Sequence, residues 1–592
     1  MEIKICLKNE GEVSKMIWKK KCFWAVVCPM LYILILLAAV PFVYGIVDDR
    51  TMMEVISGQY LGTPDAHGFF TGYWYPLLVA GLYRAVRNVD WYALGYIFLQ
   101  VCCMGLMAWR LTELQERRED CDRLAGRPER KIHIWPLALI VLWTILDIKP
   151  MTQLSFTTTA AVVAVTVIFW YMTAEEIQIR DLVLLTVLCF LSIELRFSVF
   201  CMILPVCGLL WLLRVWENKG ADKKNLWIPI APVLAALLYV AGLFIGYGSE
   251  DWQFYNAFNN TRSLIYDYEE YMFPRYEDEQ ALYHSVGVDS KARAKNLYYY
   301  NYTADDRVDQ SFFLDYFEKR SDEISGQTNV VQKLCQTVKT YIKGTLAGKY
   351  EYLHLAAMSG YAILLLGWIF RKDWKRMLET ICIPGMQIVL WLYLIYRGRM
   401  PERVLISMNL MLIVPLLLLA REYVMDDAGG VSRSAAKKVC RKTGLALLLA
   451  AMVVGAVWKV TTVRTQNLET AKWNENVEKL KAYCMDHPDN FYFNDVTSMA
   501  MTTYNVHLWQ KDPYVMNYMS LGDWIAYSPV WERKLKQNGI SSVKEALYGA
   551  DNVYLISSFD RGTEYLTELY ENVSCEEVDK IAGFTVYKLQ IL

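Results

Sequence analysis

Apolar runs dominate the chain as far as residue 463, and beyond 465 the pattern changes to short alternating segments. Crossing roughly 30 Å of hydrocarbon takes about 20 helical residues. Runs near 22–47, 91–111, 132–146, 153–173, 181–193, 197–216, 226–247, 351–370, 377–396, 404–420 and 444–463 reach or approach that length, which predicts about eleven transmembrane helices. Those at 132–146 and 181–193 are short and extend into their flanks or tilt less than the others. The stretch 69–87, "FFTGYWYPLLVAGLYRAVR", reads as an interfacial helix rather than a span. The polar segment 248–349, rich in Tyr, Asp and Glu, reads as helices with aromatic anchors that cover one mouth of the bundle.

After residue 465 "NVEKLKAYCMDH" has helical spacing, "NFYFNDV" is strand-like, and "SSVKEALYG" is a short helix. "DNVYLISSF" then reads as a strand, "TEYLTELYEN" as a helix and "GFTVYKLQIL" as a closing strand. This alternation predicts a small parallel or mixed sheet carrying helices. The expected fold class is therefore a polytopic α-helical membrane module, residues 1–464, followed by a small α/β domain, residues 465–592.

Composition agrees: 55% of the 592 residues are hydrophobic and 14% aromatic. The net charge of −1 hides a segregation that orients the chain. Basic blocks at 1–21, 117–131, 214–224, 371–376 and 433–442 share one side if 69–87 does not cross. That side is cytoplasmic, and Lys15, Lys19, Lys20 and Lys21 keep the first span as an uncleaved anchor. The segments 48–90, 248–349 and 397–403 and the C-terminal domain then lie outside the plasma membrane. The longest cytoplasmic loops are about 20 residues, too short for a nucleotide-binding domain. "GTLAGKY" at 344–350 lacks the spacing and the Ser or Thr of a P-loop, and no GxGxxG follows a strand. No nucleic-acid partner is expected. The fourteen cysteines contain no CxxC, and a Cys484–Cys575 disulfide is one open pairing beside free thiols. The glycosylation-type triplets at Asn259, Asn301 and Asn572 are too short a pattern to carry weight.

Candidate chemistry gathers on the expected outer face. Asp48 and Asp49 follow the first span in "IVDDRTMMEVISG", where each alone would be a helix collar or cap. A carboxylate at a helix start also suits a base or a metal ligand. "GTPDAH" adds Asp65 and His67 as candidate substrate contacts, and Asp48, Asp65 and His67 also form a candidate set of ligands for a divalent metal. In "SIELRFSVF", Glu194 and Arg196 interrupt apolar sequence at a membrane edge, either as a mutual pair or as ligand contacts. "YRGRMPERV" crowds Arg397, Arg399 and Arg403 into one short loop, and arginine forks grip phosphate oxygens. Carboxylates beside a phosphate-binding arginine cluster fit group transfer from a lipid-linked phosphate donor.

The first span, the acidic pair in "DDRTMMEVISG", the aromatic segment "YWYPLLVAGLYRAVR", the many spans and the α/β tail resemble the GT-C superfamily of membrane glycosyltransferases. The likeness is to the bacterial polyprenyl-phosphate-sugar-dependent group with an "Asp-Glu-x-x-Tyr" element after its first span, with Asp49 in place of the usual Glu. "GTPDAH" has no counterpart in that pattern and marks a separate branch. The resemblance covers the N-terminal 110 residues best and the remainder in architecture only. It implies that Asp48, or Asp49, acts on an acceptor hydroxyl in an inverting displacement, as a hexosyl- or pentosyltransferase. Arg196, Arg397, Arg399 and Arg403 would then hold the departing lipid phosphate. Expected partners are a polyprenyl-phosphate-linked sugar, an extracytoplasmic glycan, lipid or protein acceptor, and the bilayer. A transporter or flippase of lipid-linked sugars, or a non-catalytic envelope-assembly protein, are the alternatives. The first of these would place acidic residues in mid-span and show repeated broken helices, and no such repeat is visible in the sequence.

Overall fold

The computed structural model describes residues 2–124, 135–174, 177–217, 223–327, 329–350, 352–426, 435–499, 502–509, 514–558 and 563–592. It is a polytopic α-helical membrane protein. Among the described residues eight helices are long and apolar enough to cross a membrane: Lys21–Ala39, Trp91–Arg117, Phe156–Thr173, Phe197–Trp216, Asn225–Tyr247, Tyr352–Arg371, Trp374–Tyr396 and Glu402–Val424. The remaining three expected runs fall in the helices Trp135–Thr152, Ile179–Leu195 and Ala435–Asp486. Phe156–Thr173 is the central helix, with all but one of its side chains buried.

Two boundaries differ from the sequence pattern. The run 22–47 is not one helix, because Pro41 cannot continue it. Val43–Tyr44 instead pairs in parallel with Gln153–Leu154, and Tyr44 N–H donates to Tyr504 O at 2.9 Å on the other side. The run 444–463 is not a separate element either. No Gly or Pro follows Gly455 before residue 487, and one helix continues from Ala435 to Asp486.

The helix Val47–Ser57 is stopped by Gly58, whose φ of 87° is the left-handed conformation of a C-cap. A Cβ there would meet Pro64 N at 2.6 Å, so glycine is required. The segment 69–87 contains the helix Trp74–Ala85, at 12 residues too short to cross. The segment after Tyr247 is helical as expected, with Glu250–Asp267, Gln280–Ser285, Lys291–Tyr298, Gln310–Gln327 and Val330–Leu346.

The C-terminal region holds a five-stranded mixed sheet in the order Tyr518–Ser520, Phe491–Asn494, Val553–Ser557, Phe584–Ile591, Val573–Ile581. The first three strands are parallel, and the last two form an antiparallel hairpin. Cys484 is buried and Cys575 exposed on the edge strand; both thiols are free, so the pairing does not form.

Several basic blocks meet at one end of the bundle. Lys21, Arg110 and Arg117 converge on Glu113. Arg110 and Arg214 donate to the adjacent carbonyls of Thr173 and Ala174. Lys375 and Arg376 line a cavity with Arg214 there. Residues 1, 125–131, 218–222 and 433–434 of the basic blocks lie outside the described residues. The opposite end carries Asp48, Arg196 and the 397–403 loop.

Candidate functional site

At that opposite end a cavity of about 710 Å³ opens between the bundle, the helix Glu250–Asp267 and the C-terminal region. This is within the usual range for a small-molecule site. The bundle contributes Asp48, Arg196, Arg399 and Arg403, which are far apart in sequence. Arg403 Nη2 lies 3.4 Å from Asp48 Oδ2, and Arg399 Nη2 lies 2.8 Å from Asp267 Oδ2. Arg196 caps the helix Ile179–Leu195 and rests over the Phe156 ring at 5.1 Å. It stands in the combined field of Arg403, Asp48, Arg399 and Asp267. A fourth arginine, Arg262, adds positive charge from the opposite wall, its Nε bonded to Asn259 Oδ1 at 2.9 Å.

The helix Glu250–Asp267 turns one face to this cavity. Asn256, Asn259, Asn260, Ser263 and Asp267 all line it, a spacing of three and four that puts amide and hydroxyl groups along one stripe. Its other face is packed: Tyr255 is fully buried and donates to Trp524 O at 2.6 Å. Trp524 also lines the cavity, edge-on to both Phe69 and Phe70 with ring centroids 4.8 Å apart. Beside it Asp523 completes the polar lining, with burial pushing its carboxyl up to about 6. The amide stripe is not among the sequence candidates, although the helical spacing of "NAFNNTRS" carries it. Asp523, in "SLGDWIAY", carries no local signal beyond a turn.

Not every sequence candidate belongs to the cavity. Asp49, one residue along the helix from Asp48, points inward and is fully buried. Its Oδ1 accepts Tyr92 Oη at 2.9 Å and Phe156 N–H at 3.1 Å, so it ties Val47–Ser57 to two bundle helices. Burial pushes its carboxyl up to about 7. The same helix is bound to the C-terminal region by Arg50 Nη1 to Thr502 Oγ1, 2.5 Å, and by the Glu54–Lys481 ion pair, 2.7 Å.

Glu194 lies outside the cavity lining, and among the described residues it makes no ion pair with Arg196. Its Oε2 accepts Tyr75 N–H at 3.0 Å, and a carboxylate at the start of Trp74–Ala85 satisfies otherwise orphaned donors. Arg397 lies over the Tyr268 ring at 4.6 Å, outside the cavity lining. Glu402 pairs with Lys149, which leaves Arg403 to Asp48.

Asp65 and His67 form a brace of their own. His67 Nδ1 is 2.5 Å from Asp65 Oδ1 and its Nε2 is 3.0 Å from Gly246 O, while its ring stacks on Trp252. Asp65 also pairs with Arg533. Asp48 therefore does not join Asp65 and His67 around a metal, and among the described residues no group of three His, Cys, Asp or Glu side chains is arranged to hold one.

The chain matches no family model, no curated protein and no solved structure.

Proposed function

We propose that the protein is a membrane glycosyltransferase that moves a sugar from a polyprenyl-phosphate donor to an acceptor hydroxyl by inverting displacement. On this reading about eleven helices span a plasma membrane with the N-terminus in the cytoplasm, and residues 465–592 form an extracytoplasmic α/β domain. The gathering of basic blocks at the far end of the bundle supports that orientation.

The observation that carries the proposal is the composition of one cavity. Arg196, Arg399 and Arg403 meet there at the membrane end, where the phosphate of a lipid would lie. Across from them the neutral amides Asn256, Asn259 and Asn260, with Ser263 and the Trp524 indole, offer the donor–acceptor mix and the flat apolar face that sugar rings use. Asp48, beside Arg403, is the acid that would engage the acceptor hydroxyl. The arginines stabilise charge that grows on the lipid phosphate as the glycosidic bond breaks.

One observation favours the rival reading of a lipid-linked-sugar transporter. Asp147 is buried within the helix Trp135–Thr152, and among the described residues neither of its carboxyl oxygens has a hydrogen-bond partner. Buried acids of this kind mark ion and substrate paths in transporters.

Incubation of membranes with radiolabelled polyprenyl-phosphate sugars separates the two. Transfer of label to an acceptor by the wild type, reduced about 10²-fold in Asp48→Asn through loss of the hold on the acceptor hydroxyl, is expected of the enzyme. Label that crosses the bilayer without changing its chemical form supports the transporter instead.

A further inference from the structure

Three carboxylates line the cavity, and two of them already have a cation. Asp48 faces Arg403 and Asp267 faces Arg399. Asp523 is the third, and among the described residues no cation lies within ion-pair distance of it. Its Oδ1 accepts the adjacent Trp524 N–H at 2.7 Å, which leaves Oδ2 for a ligand.

The turn that presents this carboxylate is strained and pinned. Asp523 has φ 74°, and Tyr300 and Phe69, on the same cavity wall, have φ 63° and 56°. Such conformations are costly in L-residues and persist where the surroundings over-determine them, often at active sites. Here the surroundings do so. Tyr302 Oη donates to Asp523 O, and Tyr255 Oη donates to Trp524 O. Gly522 lies so close to Tyr300 that a Cβ would stand 1.7 Å from the Tyr300 carbonyl oxygen. A turn needed only for packing would be met at lower cost by glycine at 523 as well.

The charged and titratable groups around Asp523 come from every neighbouring element. Asp48 and Arg50 face it from Val47–Ser57, and Arg262 from Glu250–Asp267. Tyr300 and Tyr302 feel its charge from the segment after Lys291–Tyr298. On its inner side Glu54, Tyr60, Lys481, Tyr518 and Lys534 line a small chamber that shares Asp523 as a wall. Burial raises its carboxyl to about 6 and Asp48 adds to this, while the Trp524 amide and Arg262 oppose. That value suits proton transfer near neutral pH.

We propose that Asp523 is the proton acceptor of the transfer reaction, with Asp48 orienting the acceptor hydroxyl against Arg403; this rests on the glycosyltransferase reading. The acceptor oxygen bonds to the anomeric carbon as the bond from that carbon to the phosphate oxygen breaks. The electron pair of the broken bond leaves on the lipid phosphate. The hydroxyl proton passes to Asp523 Oδ2 and from there to solvent.

The test uses the full-length protein in detergent or liposomes, with Asp523→Asn and Asp523→Glu beside the wild type. Asn keeps the oxygen that accepts the Trp524 amide, and a thermal melt checks that the turn survives. Expected for Asp523→Asn is a loss of about 10²–10⁴-fold in kcat with the donor KM within about threefold, and partial recovery in Asp523→Glu. The wild-type kcat should fall below about pH 6, and the residual activity of Asp523→Asn should lack that limb.

A second arm needs no turnover. A short-chain isoprenyl phosphodiester of glucose keeps one negative charge over pH 5–8, so any pH dependence of its binding reports on the protein. Wild-type affinity should rise as pH falls through about 6, while Asp523→Asn binds tightly and evenly. If the wild type transfers no sugar, the glycosyltransferase reading fails while this arm still judges whether Asp523 faces the phosphate site. Full kcat in Asp523→Asn, retention of its acid limb, or pH-independent binding by the wild type overturns the assignment.

Discussion

Asp49→Asn separates the two adjacent acids of the N-terminal helix. Asp49 is fully buried, both of its hydrogen bonds fall on Oδ1, and Oδ2 has no partner among the described residues. Asparagine keeps Oδ1 for Tyr92 and Phe156 and puts an uncharged amide where the second oxygen was. In the folded chain burial moves the carboxyl from 3.8 to about 7. At about 1.4 kcal/mol per pH unit this gives a ceiling of about 4 kcal/mol for the cost of ionising it in place. Because the folded value is the higher one, the protonated acid stabilises fully below pH 3.8, and that contribution is lost as pH rises to about 7. The variant carries no such loss. It should melt at a higher temperature than the wild type at pH 8, by up to about 3 °C for a chain of this length unfolding as one unit. The difference should shrink steadily as pH falls from about 7 toward 4. Melting curves of the detergent-solubilised protein between pH 4 and 8 give the comparison, and sugar transfer should persist. An Asp49→Asn protein that melts lower at every pH, with no change in slope, would refute the argument.

Three further outcomes follow from the geometry. Arg403→Ala, which removes one charge-assisted contact and leaves Asp48 unpaired, should weaken binding of a lipid phosphodiester by about 10–100-fold in a titration at fixed ionic strength. Asp305→Asn removes one of two acidic partners of Arg293 in the helix Lys291–Tyr298, the other being Asp289, and should cost about 1–3 kcal/mol in stability, read by denaturation or limited proteolysis. In the native protein a maleimide should label Cys575 readily and Cys484 only after unfolding, as judged by mass spectrometry of peptides.

Much of the architecture was visible in hydropathy, because a span must be long and apolar whatever its neighbours do. The strands at 491–494, 553–557 and 584–591 were equally plain, being short apolar runs between turn residues. The edge strand Val573–Ile581 was not, since its exposed "CEEVDK" carries the charges that protect a sheet edge and hides the alternation. Charge in unexpected places did point to Asp48, Arg196, Arg399 and Arg403, which share one cavity. What the chain could not reveal is direction. Successive residues on a helix differ by about 100°, so Asp48 and Asp49 look alike in sequence and face different surroundings. Glu194 and Arg196 diverge for a similar reason, because the helix ends between them. Asp523 was illegible because its significance comes from Tyr300 and Gly522, more than two hundred residues apart in the chain.

The ribbon at Val43–Tyr44 bears on how such a protein is made. One edge of it is completed by residues 153–154, but the other waits for residues 504–506. The cavity wall has the same span, from Gly45 to Trp524. A ribosome that has delivered every apolar helix into the membrane has therefore still not supplied the whole wall of the cavity. Chains released early would carry the cavity's arginines without Thr503, Asp523 and Trp524 to wall them, so the cavity closes only when synthesis is nearly complete.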